Sequence, residues 1–562
     1  MKKIILVFLN LTFAFTIKGQ QPNFDWVKQI NSNWHSFSYD IHLDTLGNIY
    51  TVGNFLGTTD FDPGPGTYTL TAAGSCDAYV AKMDPSGNLI WAVKIGDTDN
   101  DYAYKVRTDK NNNVYIGGVF NDTVDFDPGS GVYKMSSLND ESFILKLNSN
   151  GNFIWAKKLN GYNFSIDHQS NIIVSETFGG NYDFDPGPGI YNINGGYTSI
   201  GISKLDSSGN LLWAQAYATG TPPFYPEFYT LTTDIYGNTY SIGRFEGSFD
   251  FDPGAAVVTL SCSNTKDLFI SKFRANGNFV WAKQFATTSN YNEMHSITVD
   301  KKCNVYSTGY FTHTADFDPG AGTHYLNSTT TLDPEIFVSK LDSSGNFVLA
   351  KSMGGPDLDY AQSISVDEFE NMYISGSFRG TSDFDPGVGI YNLTAPWPAN
   401  IFISKLNLQG DFSWAVSMGG YNSDYGYSNT VDKFGNIYTT GWFQDSVDFD
   451  PGITTFYLNA PGHWDGYVQK MSQSQVGINE FEKTEVINLF PNPTNDIIYI
   501  ETTFLYKNFK VEVYNSLGSR VIEKTSAGKI AQINLSSLSN GIYFIKAISD
   551  DQLIKTQKVI KQ

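Results

Sequence analysis

The side chains with most chemical potential in this sequence are paired carboxylates. The pentapeptide Asp-Phe-Asp-Pro-Gly occurs seven times. In an extended segment its two carboxylates point to one side and its phenylalanine to the other. Two like charges so close need backbone N–H donors or a cation. The pairs are Asp60 and Asp62, Asp125 and Asp127, Asp183 and Asp185, Asp250 and Asp252, Asp316 and Asp318, Asp383 and Asp385, and Asp448 and Asp450.

Two interpretations of these pairs are open. Asp-Pro-Gly is typical of a tight turn in which aspartate oxygens accept local backbone N–H bonds. The alternative is a Ca²⁺ site, because calcium binds carboxylate and carbonyl oxygens in loops of this kind. The spacing does not match an EF-hand loop. We therefore expect structural turns, with these aspartates as the candidate metal ligands, and no other cofactor.

No residues are predicted to be catalytic. The seven histidines are scattered, and the His-Glu-x-x-His pattern is absent. No Gly-x-Ser-x-Gly elbow lies at a strand-to-helix turn. Carboxylates are plentiful, so a glycosidase pair stays open as an alternative.

The seven pentapeptides lie roughly 65 residues apart, a period that indicates a repeat architecture. One repeat contains four strand-like segments, at 363–367, 371–378, 401–406 and 412–417, which we name strands A, B, C and D. Four antiparallel strands joined by tight turns form a propeller blade.

The ends of the repeat region complement each other. Residues 24–28 resemble a D strand without A, B or C before it, whereas the last copy has A, B and C at 427–432, 436–443 and 466–471 but no D. Pairing the two would remove open sheet edges. The sequence therefore predicts an all-β, seven-bladed β-propeller over 21–471, closed by an N-terminal strand and irregular around 163–170.

A tryptophan recurs in strand D. Packing between neighbouring blades is the expected role, and a row of sugar-stacking rings is the alternative. The positions are Trp91, Trp155, Trp213, Trp281 and Trp414, with Leu349 in one copy.

The loops joining D to A and B to C share one face of a propeller, and aromatic residues that differ between repeats cluster there. Exposed rings on a loop face suit stacking on glycans or contact with a partner protein. We therefore expect a binding protein; a polysaccharide-degrading enzyme or a purely structural surface protein are the alternatives. The candidate ligand-binding residues are Trp34, Tyr225, Tyr291, Trp397 and Trp464.

Composition excludes several classes of partner. The net charge of −20 repels phosphate backbones, so no nucleic acid is expected. The three cysteines are too few for a disulfide framework.

Residues 1–20 resemble a secretory signal peptide, with Lys2 and Lys3 before an apolar stretch that is too short for a convincing transmembrane span.

The repeats resemble the SBBP-type β-propeller family over about 24–471. The residues that carry the resemblance are Asp101-Tyr102, Asp359-Tyr360, Asp424-Tyr425, Gly435-Asn436-Ile437-Tyr438 and the run 336–350. The resemblance implies an extracellular propeller and supplies no catalytic residues.

After a polar linker at 472–485, residues 486–562 resemble the C-terminal sorting domain of the type IX secretion system. The matching motifs are Pro491-Asn492-Pro493, Val511-x-Val513-Tyr514 with Gly518, the run 541–546 and the basic end 558–561. The resemblance implies a small Ig-like antiparallel β-sandwich that is recognised by the secretion machinery. It also implies passage through the periplasm, loss of the tail, and release or attachment at the outer cell surface.

Overall fold

The computed structural model of this protein describes residues 21–159, 161–218, 226–262, 265–330, 332–473, 488–515, 518–549 and 552–562. Its regular secondary structure in these ranges consists of strands alone, so the predicted all-β class is confirmed. The chain divides into two compact units, Met1–Ser474 and Gln475–Gln562. The predicted signal peptide, 1–20, and most of the predicted linker, 472–485, lie outside the described residues.

In the first unit each repeat supplies antiparallel A–B, B–C and C–D pairs. The A strands are His35–Leu43, Tyr102–Thr108, Phe164–Ile166, Pro226–Thr233, Glu293–Val299, Asp359–Val366 and Tyr425–Val431. The B strands are Ile49–Leu56, Val114–Phe120, Ile172–Phe178, Thr239–Phe245, Val305–Phe311, Met372–Asp383 and Ile437–Asp448. The C strands are Asp77–Met83, Glu141–Leu147, Ser199–Leu205, Asp267–Phe273, Glu335–Leu341, Asn392–Leu406 and Tyr457–Ser472. The D strands are Leu89–Ile95, Phe153–Leu159, Leu211–Tyr217, Phe279–Thr287, Phe347–Met353, Phe412–Met418 and, for the last repeat, Asn23–Ser32.

Each Asp-Phe-Asp-Pro-Gly segment begins at the last residue of one strand and lies in the loop of a short two-stranded β-ribbon between strands B and C. In repeats six and seven the ribbon is continuous with strands B and C, which explains their greater length. The separate ribbons are Thr58–Asp60 with Thr69–Thr71, Thr123–Asp125 with Lys134–Ser136, Asn181–Asp183 with Asn192–Asn194, Ser248–Asp250 with Thr259–Ser261, and Thr314–Asp316 with Tyr325–Asn327.

The N-terminal strand joins the first repeat to the last. Its backbone pairs antiparallel with the last C strand, placing Phe24 opposite Met471 and Ile30 opposite Gly466. The Ile30 side chain is fully buried and packs with Phe55 and other apolar residues of repeat one. The first described strand therefore completes the sheet formed by the last repeat.

Three of the D-strand tryptophans, Trp91, Trp155 and Trp213, connect neighbouring repeats through the indole N–H. The indole Nε1 of Trp91 donates to the Ser149 carbonyl at 3.1 Å, and that of Trp155 donates to the Ser207 carbonyl at 3.3 Å. Each acceptor lies in the C–D turn of the following repeat. These contacts support packing between repeats as the role of the tryptophan position.

The second unit contains an antiparallel five-stranded sheet. Its strands are Asn488–Phe490, Ile497–Asn515, Arg520–Asn534, Gly541–Ser549 and Gln552–Lys561. Alternating apolar residues of these strands, such as Ile498, Val511 and Ile545, are buried in one core.

Across the described ranges, the protein has no helix with the length and apolar character needed to cross a membrane.

Candidate binding site

In each Asp-Phe-Asp-Pro-Gly loop the carboxylates bond to the backbone of their own loop. Asp60 Oδ1 accepts from the Asp62 N–H at 3.1 Å and the Tyr68 N–H at 2.8 Å, and Asp62 Oδ1 accepts from the Gly64 N–H at 2.8 Å. The other six loops repeat these three bonds at 2.7 to 3.1 Å. Local N–H donors therefore stabilise the paired charges.

The same loops lie against the D strands. The Tyr68 hydroxyl donates to the Ala92 carbonyl at 3.0 Å, and the Tyr133 hydroxyl donates to the Ala156 carbonyl at 3.2 Å. Within the ranges that the structure describes, no three His, Cys, Asp or Glu residues are grouped as metal ligands. The Ca²⁺ alternative thus depends on the carboxylate pairs themselves.

The predicted ligand-binding aromatics fall into different places. Trp34 is 58% exposed and Tyr291 is 47% exposed, whereas Trp464 is half-buried. The Trp464 ring lies 4.8 Å from the His35 ring, and His35 lies 5.9 Å from Trp34. Trp34 and Trp464 therefore belong to one cluster. Tyr225 and the Trp397 side chain lie outside the described part of the chain.

Tyr291 belongs to a second aromatic cluster. Its hydroxyl is 3.0 Å from the Tyr360 hydroxyl, and its ring is 5.3 Å from Tyr310. The His295 ring also contacts Tyr310, at 5.3 Å. These rings come from repeats five and six, whereas Trp34 and Trp464 come from the junction between repeats one and seven.

A β-bulge recurs at one position of strand A. In six repeats the ladder to strand B skips one residue, which is left without a partner across the sheet. Bulges bend a strand and re-aim the side chain that they carry. The skipped residues are Tyr39, Tyr104, Tyr229, His295, Gln362 and Tyr427. Tyr162 occupies the same position in repeat three, five residues before the aspartate of the A–B turn.

Four of the five tyrosines at this position form a continuous aromatic surface, to which Tyr229 does not belong. Ring centroids are 5.2 Å apart for Tyr39 and Tyr104, 4.8 Å for Tyr104 and Tyr162, and 5.4 Å for Tyr39 and Tyr427. Trp442 continues the surface from Tyr427, at 6.3 Å, to Trp464, at 5.7 Å. We name the residues Tyr39, Tyr104, Tyr162 and Tyr427 the tyrosine arc.

The arc keeps its hydroxyl groups protonated. Burial raises the pKa of Tyr39 and Tyr104, and the neighbouring phenols raise it further. Both rings are half-buried, and neither hydroxyl has a hydrogen-bond partner among the described residues. The arc therefore offers ring surface and O–H donors to a ligand.

Beside the arc, all seven A strands line one cavity of about 310 Å³. Tyr39, Tyr104 and Tyr427 belong to its wall, and repeat three contributes Asn163 and Ser165. A single cavity shared by seven strands requires those strands to surround a common axis. Three of the four arc residues, Tyr39, Tyr104 and Tyr427, consequently lie at the wall of a central channel.

The two histidines of the channel wall, His42 and His295, are constrained by the groups around them. Burial, followed by the nearby Arg107 charge, lowers the pKa of His42 to about 3, so its imidazole is neutral at physiological pH. His295 has one ring nitrogen 3.0 Å from the Ala361 carbonyl and the other 3.2 Å from Glu293. The wall is therefore better suited to holding a ligand than to general base catalysis.

Sequence reasoning missed the tyrosine arc. The sequence feature that could have revealed it is a tyrosine placed five residues before the aspartate of the A–B turn. This tyrosine occurs in five repeats. Those aspartates are Asp44, Asp109, Asp167, Asp234 and Asp432; Asp300 and Asp367 follow His295 and Gln362 instead. The signal is hidden because apolar alternation does not reveal which residue is bulged.

The chain has distant curated relatives. The chain is 23% identical over 531 residues to an uncharacterised WD repeat-containing protein, L264, of Acanthamoeba polyphaga mimivirus, covering 79% of this chain and 38% of that protein. It is 24% identical over 136 residues to the regulatory protein FlaEY of Caulobacter vibrioides, covering 24% and 14%. The chain thus spans less than half the length of these relatives.

Solved structures show weaker likeness. A fungal alcohol oxidase of the AA5 family in complex with copper is 9% identical, with 96% and 99% coverage and a TM-score of 0.39. Sqt1 from Chaetomium thermophilum is 9% identical, with 81% and 99% coverage and a TM-score of 0.34. PorZ, a surface component of the type-IX secretion system of Porphyromonas gingivalis, is 10% identical, with 95% and 100% coverage and a TM-score of 0.16. Likenesses this weak carry no argument about activity.

The tail gives a specific match. Residues 488–562 match the family described as the secretion system C-terminal sorting domain. This domain marks proteins for export by the type IX secretion system to the cell surface or the extracellular space. The protein therefore carries the export signal that its tail motifs predict, and it is located at the cell surface or outside the cell.

Proposed function

We propose that this protein binds a glycan at the tyrosine arc, outside the cell that exports it. The carrying observation is the arc itself, because four half-buried rings from four repeats form one continuous surface. Three of these rings, those of Tyr39, Tyr104 and Tyr427, line the channel wall. Half-buried tyrosines supply large rigid surfaces with a polar end, which suits the faces and hydroxyls of sugar rings.

The proposal includes a seven-bladed β-propeller of the SBBP type over 21–471. Support comes from the seven sets of A to D strands, from the N-terminal strand paired with the last C strand, and from the cavity lined by all seven A strands. The proposal further includes a signal peptide at 1–20, a linker at 472–485 and an Ig-like β-sandwich at 486–562. In this scheme the propeller carries the binding site and the tail carries the export signal.

A glycan array followed by titration calorimetry tests the proposal. We expect binding of the secreted protein to at least one soluble oligosaccharide. Tyr104→Ala should weaken that binding by about three- to tenfold, the usual worth of an aromatic contact. The matched control is Tyr236→Ala, since Tyr236 is 65% exposed and lies in an A–B turn, at the end of strand A away from the bulge.

The other possible functions give different results in the same experiment. A polysaccharide-degrading enzyme releases shorter products, which mass spectrometry of the mixture detects. A protein-binding or purely structural surface protein binds no arrayed glycan. Either result contradicts the proposal, and so does equal binding by Tyr104→Ala and wild type when both have the same unfolding temperature.

A further inference from the structure

The channel wall is nearly uniform except in repeats one and two. The residues directly after the bulge position are Asp40, Lys105, Asn163, Thr230, Ser296, Ser363 and Ser428. The residues two positions further along are His42, Arg107, Ser165, Thr232, Thr298, Ser365 and Thr430. Ionisable side chains at these two levels come from repeats one and two, and the other five repeats supply hydroxyls and amides. We name Asp40, His42, Lys105 and Arg107 the charged corner.

One ion pair of the charged corner is already complete. Arg107 Nη1 lies 2.6 Å from Asp40 Oδ2, and that oxygen also accepts from the Val106 N–H at 3.0 Å. Asp40 Oδ1 accepts from the Ser428 hydroxyl at 2.9 Å. Asp40 is 4% exposed, so its charge is used to hold Arg107 in place.

Lys105 is the second cation of the charged corner. It lines the cavity, and among the described residues no carboxylate lies within ion-pair distance of its ammonium group. Burial, followed by the Arg107 charge, lowers the pKa of Lys105 to about 8, against the opposing effect of Asp40. His42 adds no charge at neutral pH. The corner therefore has a net positive charge in a protein whose total charge is −20.

Lys105 directly follows Tyr104, one of the two inner rings of the tyrosine arc. A sugar stacked on the arc would present its substituents to this cation. The cavity of about 310 Å³ is at the small end of ligand pockets, which favours one terminal sugar over a long chain. The negative charge of the whole protein also disfavours extended polyanions.

We propose that the channel recognises a glycan through a terminal sugar that bears one anionic group, either a carboxylate or a sulfate, placed against Lys105. This inference rests on the proposed glycan binding and adds the class of sugar. A charge-assisted hydrogen bond in a partly buried site is worth about tenfold or more in affinity. We therefore expect about a tenfold preference for the anionic sugar over its neutral counterpart.

Calorimetry of the full secreted protein with matched oligosaccharides tests the inference. The probes end in glucuronic acid, in glucose or in 6-O-sulfated glucose, and share the same remaining sugars. Lys105→Gln should reduce the preference for the anionic ends to about one. Lys105→Arg should keep it. Lys110→Gln is the matched control, because Lys110 is exposed and lies in the adjacent A–B turn.

The pH dependence gives a second readout. In wild type the preference should decline between pH 7 and pH 9, as Lys105 loses its proton near pH 8. In Lys105→Arg it should persist at pH 9, because arginine stays charged. The glucuronate and sulfate arms identify which anion is preferred.

The possible results separate this inference from the proposed function. If wild type binds the neutral and anionic probes equally, or if Lys105→Gln keeps the preference, the anionic sugar is wrong and glycan binding stands. If none of the three probes binds while another arrayed glycan does, the anionic sugar is again wrong. If no glycan binds, both proposals fail.

Discussion

The carboxyl groups of Asp77 and Asp101 face each other across Gly96. A Cβ atom on Gly96 would lie 2.7 Å from Asp77 Cγ and 2.8 Å from Asp101 Oδ2. Both aspartates are fully buried. Asp77 Oδ2 is 2.6 Å from Lys94 Nζ, whereas Asp77 Oδ1 has no hydrogen-bond partner within the described chain. Burial, helped by the Asp77 charge and opposed by two backbone N–H bonds, raises the pKa of Asp101 to about 7.

This pair predicts a stability that falls with rising pH. Asp101 has a pKa of 3.8 when unfolded and about 7 when folded, so the folded state binds the extra proton between these values. The stability that this bound proton contributes to the folded state is therefore lost as the pH rises from about 4 to about 7. Asp359 and Asp424, whose pKa values are also raised to about 7 by burial, act in the same direction. His42 acts oppositely, since it is neutral when folded.

Asp101→Asn isolates the effect. We expect the fall in unfolding temperature between pH 5 and pH 8 to be smaller in this variant than in wild type, as differential scanning calorimetry measures. Asparagine is compatible with the site, because Asn292 occupies the same position in repeat five and accepts from the Thr312 N–H at 3.0 Å. Asp99→Asn, at an exposed site, is the control. An unchanged pH profile in Asp101→Asn would contradict the assignment.

Ile30→Ala should destabilise the whole repeat region. Ile30 lies on the N-terminal strand, is fully buried, and connects the last sheet to the core of repeat one. The expected loss is about 2–5 kcal/mol in the free energy of unfolding, measured with urea. Asn31→Ala, exposed on the same strand, should change it by less than about 0.5 kcal/mol. Equal stability of the two variants would show that the strand is dispensable.

Asp60→Ala and Asp60→Asn together test the role of the paired carboxylates. Alanine removes the acceptor for two backbone N–H groups and should cost about 1–3 kcal/mol. Asparagine keeps an acceptor oxygen and should cost much less. A chelator should leave the unfolding temperature of wild type unchanged. A large downward shift with chelator, restored by calcium, would favour the Ca²⁺ alternative instead.

Removing 486–562 should stop export without unfolding the repeat region. The match to the sorting domain covers 488–562, and the two compact units divide at Ser474. Cell fractionation should find the shortened protein in the periplasm, with the unfolding temperature of the intact repeats. Mass spectrometry of the exported wild type should find a chain shorter by roughly the tail. Normal export of the shortened protein would refute the role of the tail.

The strands of the repeats can be predicted from the sequence because the same pattern of alternating and turn residues recurs in every repeat. Strands B and C are central in their sheets, and their apolar residues are almost entirely buried. The role of residues 24–28 can be predicted for the same reason, since this segment carries Trp26 at the tryptophan position of a D strand but has no A, B or C strand before it. The structure places Trp26 opposite Lys470, as it places Trp91 opposite Lys82. The short A strand of repeat three, Phe164–Ile166, also lies inside its predicted irregular region.

The candidate site is much harder to predict from the sequence than the strands are. Trp34 and Trp464 are predicted separately and lie in one cluster, but the tyrosine arc beside them is missed. A bulge is set by the ladder between two strands, and alternation within one strand does not show it. The charged corner is missed because Asp40 and Lys105 belong to different repeats. They meet only when the A strands surround a common channel.

The pairing of Asn23–Ser32 with Tyr457–Ser472 also sets the order in which the repeat region can be completed. Each of the intervening sheets can form from neighbouring segments, whereas the last sheet needs strands from opposite ends of the repeat region. The last sheet is therefore completed only after the final C strand has been synthesised. A nascent chain that ends before Tyr457 leaves its N-terminal strand without this partner.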